Sequence, residues 1–296
     1  MSFTSQFIDA NDQRIHVMSG GPEDAPIMVM LHGFPEYWAA WATVAEAFTD
    51  RYRVILPDQR GFNLTSKPTK EAEYQTKHMV ADLEALLVSI GATQPIILCG
   101  HDWGASIAYA FAMRHRRQVS QLIIANGVHP ICFQKALLAA GAQTAASQYM
   151  NVLRNPGVEE KLAANRFQKL IGMLEKFSSA PWLDEAIRDA YRTSWDHKGA
   201  LTGMLNWYRQ SPMIVPDTEA PPQDLQITDQ MIEKYHITMP HLLLWGMQDT
   251  ALLPETRADL HLFCDDLTIR ENADASHWIL HEQPQWVADQ INSFLR

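Results

Sequence analysis

Short apolar runs at residues 27–31, 52–56, 96–99 and 122–125 set the terms for this chain. The first three stop abruptly, at His32-Gly33, Pro57-Asp58 and Gly100. Between the runs, residues 37–48, 74–90 and 105–114 place apolar side chains at helical spacing. In the second of these, Met79, Leu83, Leu86, Leu87 and Ile90 form one stripe, and Gly91 is positioned to end it. Strands that are apolar along their whole length must be buried on both faces. Strands of that kind alternating with helices predict an α/β fold, a mostly parallel sheet with helices on either side. Residues 6–9 and 14–18 flank a turn-like Ala10-Asn11-Asp12 and read as an antiparallel hairpin at the sheet edge.

The alternation resumes at 241–245, followed by helix-like 255–263, strand-like 267–269 and helix-like 285–295. From about His129 to His236 it is broken: no good strand candidate occurs, several segments have helical spacing, and 212–222 is Pro-rich. This divides the chain into a first part of the core (1–128), an inserted helical cap or lid (129–236) and a second part of the core (237–296). No repeat or low-complexity segment is visible.

A chain of 296 residues with 47% hydrophobic side chains can bury a real core as one or two domains. Its formal net charge of -10 repels nucleic acid and anionic lipid, so neither is expected as a partner. No run approaches 18 apolar residues, so no membrane span is expected. Residues 1–12 carry no basic residue and no apolar core, which does not fit a signal peptide. Cys99, Cys132 and Cys264 are odd in number and widely spaced, which argues against a disulfide framework or a zinc site and favours a cytoplasmic setting. Cys99, inside an apolar run, is expected in the core.

Gly100-His101-Asp102-Trp103-Gly104 joins the run 96–99 to the helix-like 105–114. A nucleophile on so sharp a strand-to-helix turn needs small residues at both flanks, because a Cβ there collides with the neighbouring strand or helix. The turn lifts the central side chain above the sheet edge, and the helix N-terminus favours negative charge there. Asp at this point attacks a saturated carbon and forms an ester that a second step must hydrolyse. The plainer role for such an Asp is to cap the helix.

Asp249 follows the apolar stretch Leu242-Leu243-Leu244-Trp245, and His277 lies in a loop after the last strand-like run. The order nucleophile, acid, His, with the last two after the final strands, is that of α/β hydrolases. His277 would activate water, and Asp249 would fix its tautomer and support the imidazolium. His32-Gly33-Phe34-Pro35, after 27–31, is the expected oxyanion-hole loop, with the backbone N–H groups of Phe34 and Trp103 as donors. His277 and His281 are spaced i, i+4, and His236 and His241 are near neighbours, but neither pair has a third ligand at a recognised spacing. No metal and no cofactor are expected.

These residues resemble the α/β-hydrolase-fold epoxide hydrolases, in the manner of the soluble enzymes. The likeness rests on His32-Gly33-Phe34-Pro35-Glu36 with Trp38 and Trp41 following, on Gly100–Gly104, on Trp245-Gly246 with Asp249, and on His277-Trp278, and it spans nearly the whole chain. It implies an apolar epoxide and water as the small-molecule partners, with Phe34, Trp38 and Trp103 against the substrate. It also implies two cap tyrosines that donate to the epoxide oxygen. Asn206-Trp207-Tyr208-Arg209 resembles the segment holding one, which points to Tyr208; Tyr149, seven residues before Pro156-Gly157, matches the other. Two phenols have a chemical reason: ring opening makes an alkoxide, and Asp102 cannot supply a proton while it attacks. Met150 follows Tyr149 where some relatives carry a polar residue, and 159–191 holds no motif.

Dehalogenases share part of this pattern and remain the alternative. The haloalkane enzymes typically have Asn at the Phe34 position and need no tyrosine pair. The haloacetate enzymes have Arg where Trp103 and Ser106 stand, and a His where Tyr149 stands. Trp103 is compatible with halide binding. A serine esterase needs Ser in the turn, and a non-catalytic relative would not keep the acid, base and nucleophile together. Which epoxide is taken and whether the chain forms a homodimer stay open at the level of sequence.

Overall fold

The computed structural model describes residues 3–296. Asn11 and Asp12 both take positive φ, 50° and 57°. That two-residue turn matches the right-handed twist of flanking strands. It pairs β1 (Thr4–Ala10) with β2 (Gln13–Gly20) antiparallel, as the hairpin reading expected. The remaining strands are β3 (Ile27–Leu31), β4 (Arg53–Pro57), β5 (Ile96–His101), β6 (Val119–Ala125), β7 (His241–Gly246) and β8 (Leu267–Asn272). They complete an eight-stranded sheet in the order β1-β2-β4-β3-β5-β6-β7-β8. β2 runs antiparallel to β4, and every neighbouring pair from β4 to β8 is parallel.

Successive side chains of each strand point to opposite faces, so the sheet builds two cores. Val29, Leu31, Leu98 and Ile124 face the helices Thr76–Ser89 and Trp103–Arg114. Met28, Met30, Ile97 and Cys99 face Trp41, Phe48 and the C-terminal helix Pro284–Phe294. Cys99 is fully buried, and the three cysteines are free thiols. β3 lies between β4 and β5, so the chain leaves β3 toward one sheet edge and leaves β5 toward the other. Ligands of open α/β sheets bind in the crevice outside strand C-termini at such a switch. The loops after β3 and β5 both begin there.

Two helix expectations need correction. Residues 37–48 form a 3₁₀ turn, Trp38–Trp41, and a short helix, Ala42–Glu46. The Trp41 indole donates to the Leu31 carbonyl at 3.0 Å and the Trp38 N–H to Asp58 Oδ1 at 2.9 Å, which ties the segment to strand ends. Residues 255–263 form two 3₁₀ turns, Pro254–Arg257 and Leu260–Phe263. Leu260 and Phe263, three apart, are the buried pair, and that spacing eclipses in a 3₁₀ turn.

Between β6 and β7 the described residues form helices without a strand: Pro130–Leu138, Ala142–Ala146, Gln148–Arg154, Val158–Lys176, Glu185–Asp196, Ala200–Arg209 and Asp229–Lys234. Val158–Lys176 is interrupted by Asn165, Arg166 and Phe167, all at positive φ of 52–59°. Such a left-handed run is unfavourable for non-glycine residues. Among the described residues, no helix is long and apolar enough to cross a membrane.

Candidate active site

Asp102 follows β5 directly, with φ 51° and ψ −122°, and the helix Trp103–Arg114 starts at the next residue. Backbone strain of this kind costs on the order of 1–3 kcal/mol and persists where the surroundings over-determine it. Two glycines do so here. A Cβ on Gly33 would overlap the Asp102 carboxylate, and one on Gly104 would overlap the Leu31 carbonyl. The Asp102 side chain makes no capping bond to its helix, which removes the plainer reading of this residue. Instead Oδ1 accepts the Phe34 N–H at 2.7 Å, and Oδ2 lies 3.4 Å from His277 Nε2.

His277, in the loop after β8, holds Asp249 Oδ2 through Nδ1 at 2.8 Å. Asp249, in the loop after β7, is itself fixed by the N–H groups of Ala251 (2.7 Å) and Leu252 (2.9 Å) on Oδ1. Burial works against its charge, but His277 and these donors overturn that and hold its carboxyl below the usual range. For His277 burial again opposes the charged form, and Asp249 and Asp102 together outweigh it, raising its pKa to about 10. The loops after β5, β8 and β7 thus bring Asp102, His277 and Asp249 together, the last two hydrogen-bonded and the first within 3.4 Å of the His277 ring.

Tyr149, on Gln148–Arg154, and Tyr208, on Ala200–Arg209, line the same cavity as Asp102, their ring centroids 6.2 Å apart. Tyr208 stands edge-on to both Phe34 (5.0 Å) and Trp103 (5.1 Å). Burial pushes both phenols well above the ordinary range, and the Asp102 charge adds to it, so both keep their protons. Two cavities meet between these groups. One, of about 590 Å³, is lined by Asp102, Trp103, Tyr149, Tyr208 and largely apolar side chains. The other, of about 20 Å³, lies against Asp102, His277, Phe34 and Trp278 and has room for about one water. Trp38, expected against the substrate, lines neither: its 3₁₀ turn directs the ring toward the core on the opposite sheet face.

Sequence reasoning missed Asn126. It stands just past β6, donates through Nδ2 to Asp249 Oδ2 at 2.7 Å, and accepts the Gly246 N–H through Oδ1 at 2.8 Å. A polar residue closing an apolar strand, followed by Gly127, was the available signal. Also missed was a fully buried carboxylate, Glu36. It accepts from His101 (3.1 Å), His281 (2.6 Å) and the Tyr191 hydroxyl (2.8 Å) of the inserted helices. His101 donates in turn to the His277 carbonyl at 2.8 Å. Burial would raise the Glu36 pKa, but His281 and His101 reverse that and hold it far below the carboxylate range. Among the described residues no three His, Cys, Asp or Glu side chains are grouped to hold a metal.

A family model described as the alpha/beta hydrolase fold matches residues 26–284. The chain is 31% identical to the AB hydrolase superfamily protein YfhM of Bacillus subtilis, over 98% of this chain and 97% of that one. It is 30% identical to epoxide hydrolase 3 of Xenopus tropicalis, over 96% and 75%. A solved structure described as one of the novel epoxide hydrolases from metagenomes of hot environments superposes with a TM-score of 0.90 at 33% identity, covering 100% of this chain and 99% of that one.

Proposed function

Because this chain belongs to the α/β-hydrolase-fold family and groups there with epoxide hydrolases, we propose that it opens epoxides to vicinal diols through an ester of Asp102. What carries the reading is one carboxylate, free of any capping duty, sharing a largely apolar cavity with two phenols. Oδ1 is occupied by the Phe34 N–H, so Oδ2 is the oxygen that attacks the epoxide carbon. The ring C–O bond breaks, and the alkoxide takes a proton from Tyr149 or Tyr208. The helices of residues 129–236 act as a cap that brings these acids over the nucleophile.

The second step follows from the change of charge. In the free enzyme two carboxylates hold the proton on His277. Once Asp102 is an ester that charge is gone, the His277 pKa falls, its proton passes by way of water to the tyrosinate left by ring opening, and the imidazole becomes a base. It takes a proton from water in the small cavity, and the hydroxide adds to the ester carbonyl. The negative charge develops on Oδ1, where the Phe34 and Trp103 N–H groups act as the oxyanion hole. Collapse expels the diol oxygen, which takes the proton back from His277, and the Asp102 carboxylic acid left behind passes its proton to His277, which restores the starting pair.

His277→Gln tests this. Mixed with styrene oxide, it should accumulate a protein adduct of substrate mass, seen by intact mass spectrometry, while steady-state diol formation falls about 10²–10⁴-fold. Absence of adduct with turnover retained would remove the ester from the scheme. A haloalkane and haloacetate, run beside the epoxide, cover the dehalogenase alternative: halide release without diol formation would replace the epoxide reading.

A further inference from the structure

The two cavities at Asp102 are very unequal, about 20 Å³ on the His277 side and about 590 Å³ on the other. The small one has room for about one water and none for a ring substituent. An epoxide bound here therefore carries its bulk in one direction only. The large cavity follows the helix Trp103–Arg114, whose Trp103, Ser106, Ala110, Met113 and Arg114 all line it. These are steps of three and four, one face of the helix. At 1.5 Å of rise per residue, Arg114 lies about 18 Å along the axis from Asp102.

The far end of this cavity is cationic. Arg114 and Lys234 both line it and both are exposed, Lys234 with its ammonium 5.0 Å from the Tyr235 ring centroid. The Lys and Arg ion pairs of the described residues include neither. In a chain with 34 acidic and 24 basic side chains, the one carboxylate that lines this cavity among the described residues is Asp102, at its other end. An apolar passage with a carboxylate at the bottom and two unpaired cations at the mouth selects for charge as well as shape.

Resting on the epoxide reading above, we propose that the preferred substrate is a terminal epoxide on one long apolar arm that ends in a carboxylate, which Arg114 and Lys234 bind at the rim. The competing explanation is that each cation merely offsets a helix C-terminus, since both occupy last turns.

The test uses terminal epoxides of straight-chain fatty acids of increasing length and their methyl esters, with the wild type and the Arg114→Gln/Lys234→Gln double variant. The wild type should favour long acids over their esters in kcat/KM. Acids too short to span from Asp102 to the rim should show no such preference. The preference should shrink at high ionic strength. In the double variant kcat/KM for the long acid should fall roughly three- to tenfold, the size two exposed ion pairs supply. That loss should appear in KM, with the esters unaffected. A wild type that turns over esters as well as acids at every length overturns the proposal. So does a double variant that keeps the acid preference and only melts earlier, the result expected of helix-end cations alone. Diol formed from the esters would in either case leave the epoxide reading standing, whereas no diol from any compound would remove both.

Discussion

The wall of the site that carries Asp102 and the wall that carries the two tyrosines are held in different ways. Asp102, Asp249 and His277 follow strand ends, and backbone groups fix the two carboxylates: Phe34 N–H on Asp102, Ala251 and Leu252 N–H on Asp249. Tyr149 and Tyr208 sit on helices that are pinned by side chains. Arg154 donates to the carbonyls of Tyr208 (3.0 Å) and Met213 (2.7 Å), and the Trp207 indole to that of Arg60 (2.9 Å). On the proposed mechanism, ester hydrolysis draws on geometry set by the sheet alone, and ring opening also on geometry set by helix packing. The two steps should be separable by mutation.

The largest effect belongs to the sheet side. On the proposed mechanism Asp102→Ala removes the nucleophile of ring opening, and with it the ester that the second step hydrolyses, and should lower diol formation by about 10⁴–10⁶-fold, the scale of losing a covalent nucleophile. Its circular dichroism should stay native. On the helical side, Tyr149→Phe and Tyr208→Phe should each slow ester formation by about 10²–10⁴-fold, with smaller added loss in the double variant because the phenols act on one oxygen. In a single-turnover experiment, decay of ester already formed should be unchanged. A Tyr208→Phe protein that forms ester at the wild-type rate removes Tyr208 from the mechanism.

Asn126→Ala should give the reverse pattern, with ester formation nearly intact and ester decay slowed roughly tenfold to a hundredfold, the 1.5–3 kcal/mol of a hydrogen bond to a charged group. Equal slowing of both steps would mean that the two walls are not independent.

What could be read from sequence follows the same division. The Asp102 turn is local: the flanking glycines and the apolar run before it state the geometry within a few residues. The acid and base could be placed because strand order fixes which loops converge. Asn126 could not, since its partner Asp249 is 123 positions away and an Asn after a strand looks like any turn residue. Glu36 is silent for the same reason, its donors lying 65, 155 and 245 positions off. Trp38 was misplaced because adjacency to the Phe34 loop says nothing about the direction in which a 3₁₀ turn sends a ring. The break in Val158–Lys176 at Asn165–Phe167 lay in a stretch without motifs, where helical spacing continues across it.

The charge held on His277 also has a stability consequence confined to the sheet side. Its pKa rises from 6.5 to about 10 in the folded protein, so the folded state binds the extra proton in that window. The associated stability is fully present below pH 6.5 and is lost as pH rises through 10. The loss should be on the order of 2–4 kcal/mol. Wild-type Tm should therefore fall from pH 7 to pH 10 more steeply than that of His277→Gln. Parallel curves would mean that the two carboxylates do not hold the proton.

The smallest effect is expected where the two walls are tied together. Glu282 accepts from Ser276 N (2.7 Å) and Oγ (2.9 Å) beside His277. It also accepts from Ser179 N (2.7 Å), Ser179 Oγ (2.9 Å) and Ala180 N (3.2 Å) in the inserted segment. If each wall is ordered by its own contacts, this tie only aligns them. Glu282→Ala should then change both chemical steps less than about threefold. It should cost roughly 1–3 kcal/mol, lowering Tm on the order of 5 °C in a chain of this size. Hydrogen exchange should rise first at residues 177–184 and leave 274–280 protected, because the His277 loop keeps its bonds to Asp249 and His101. Ester decay slowed tenfold or more in this variant would mean that the inserted helices hold His277 in place, and the division between the two walls would fail.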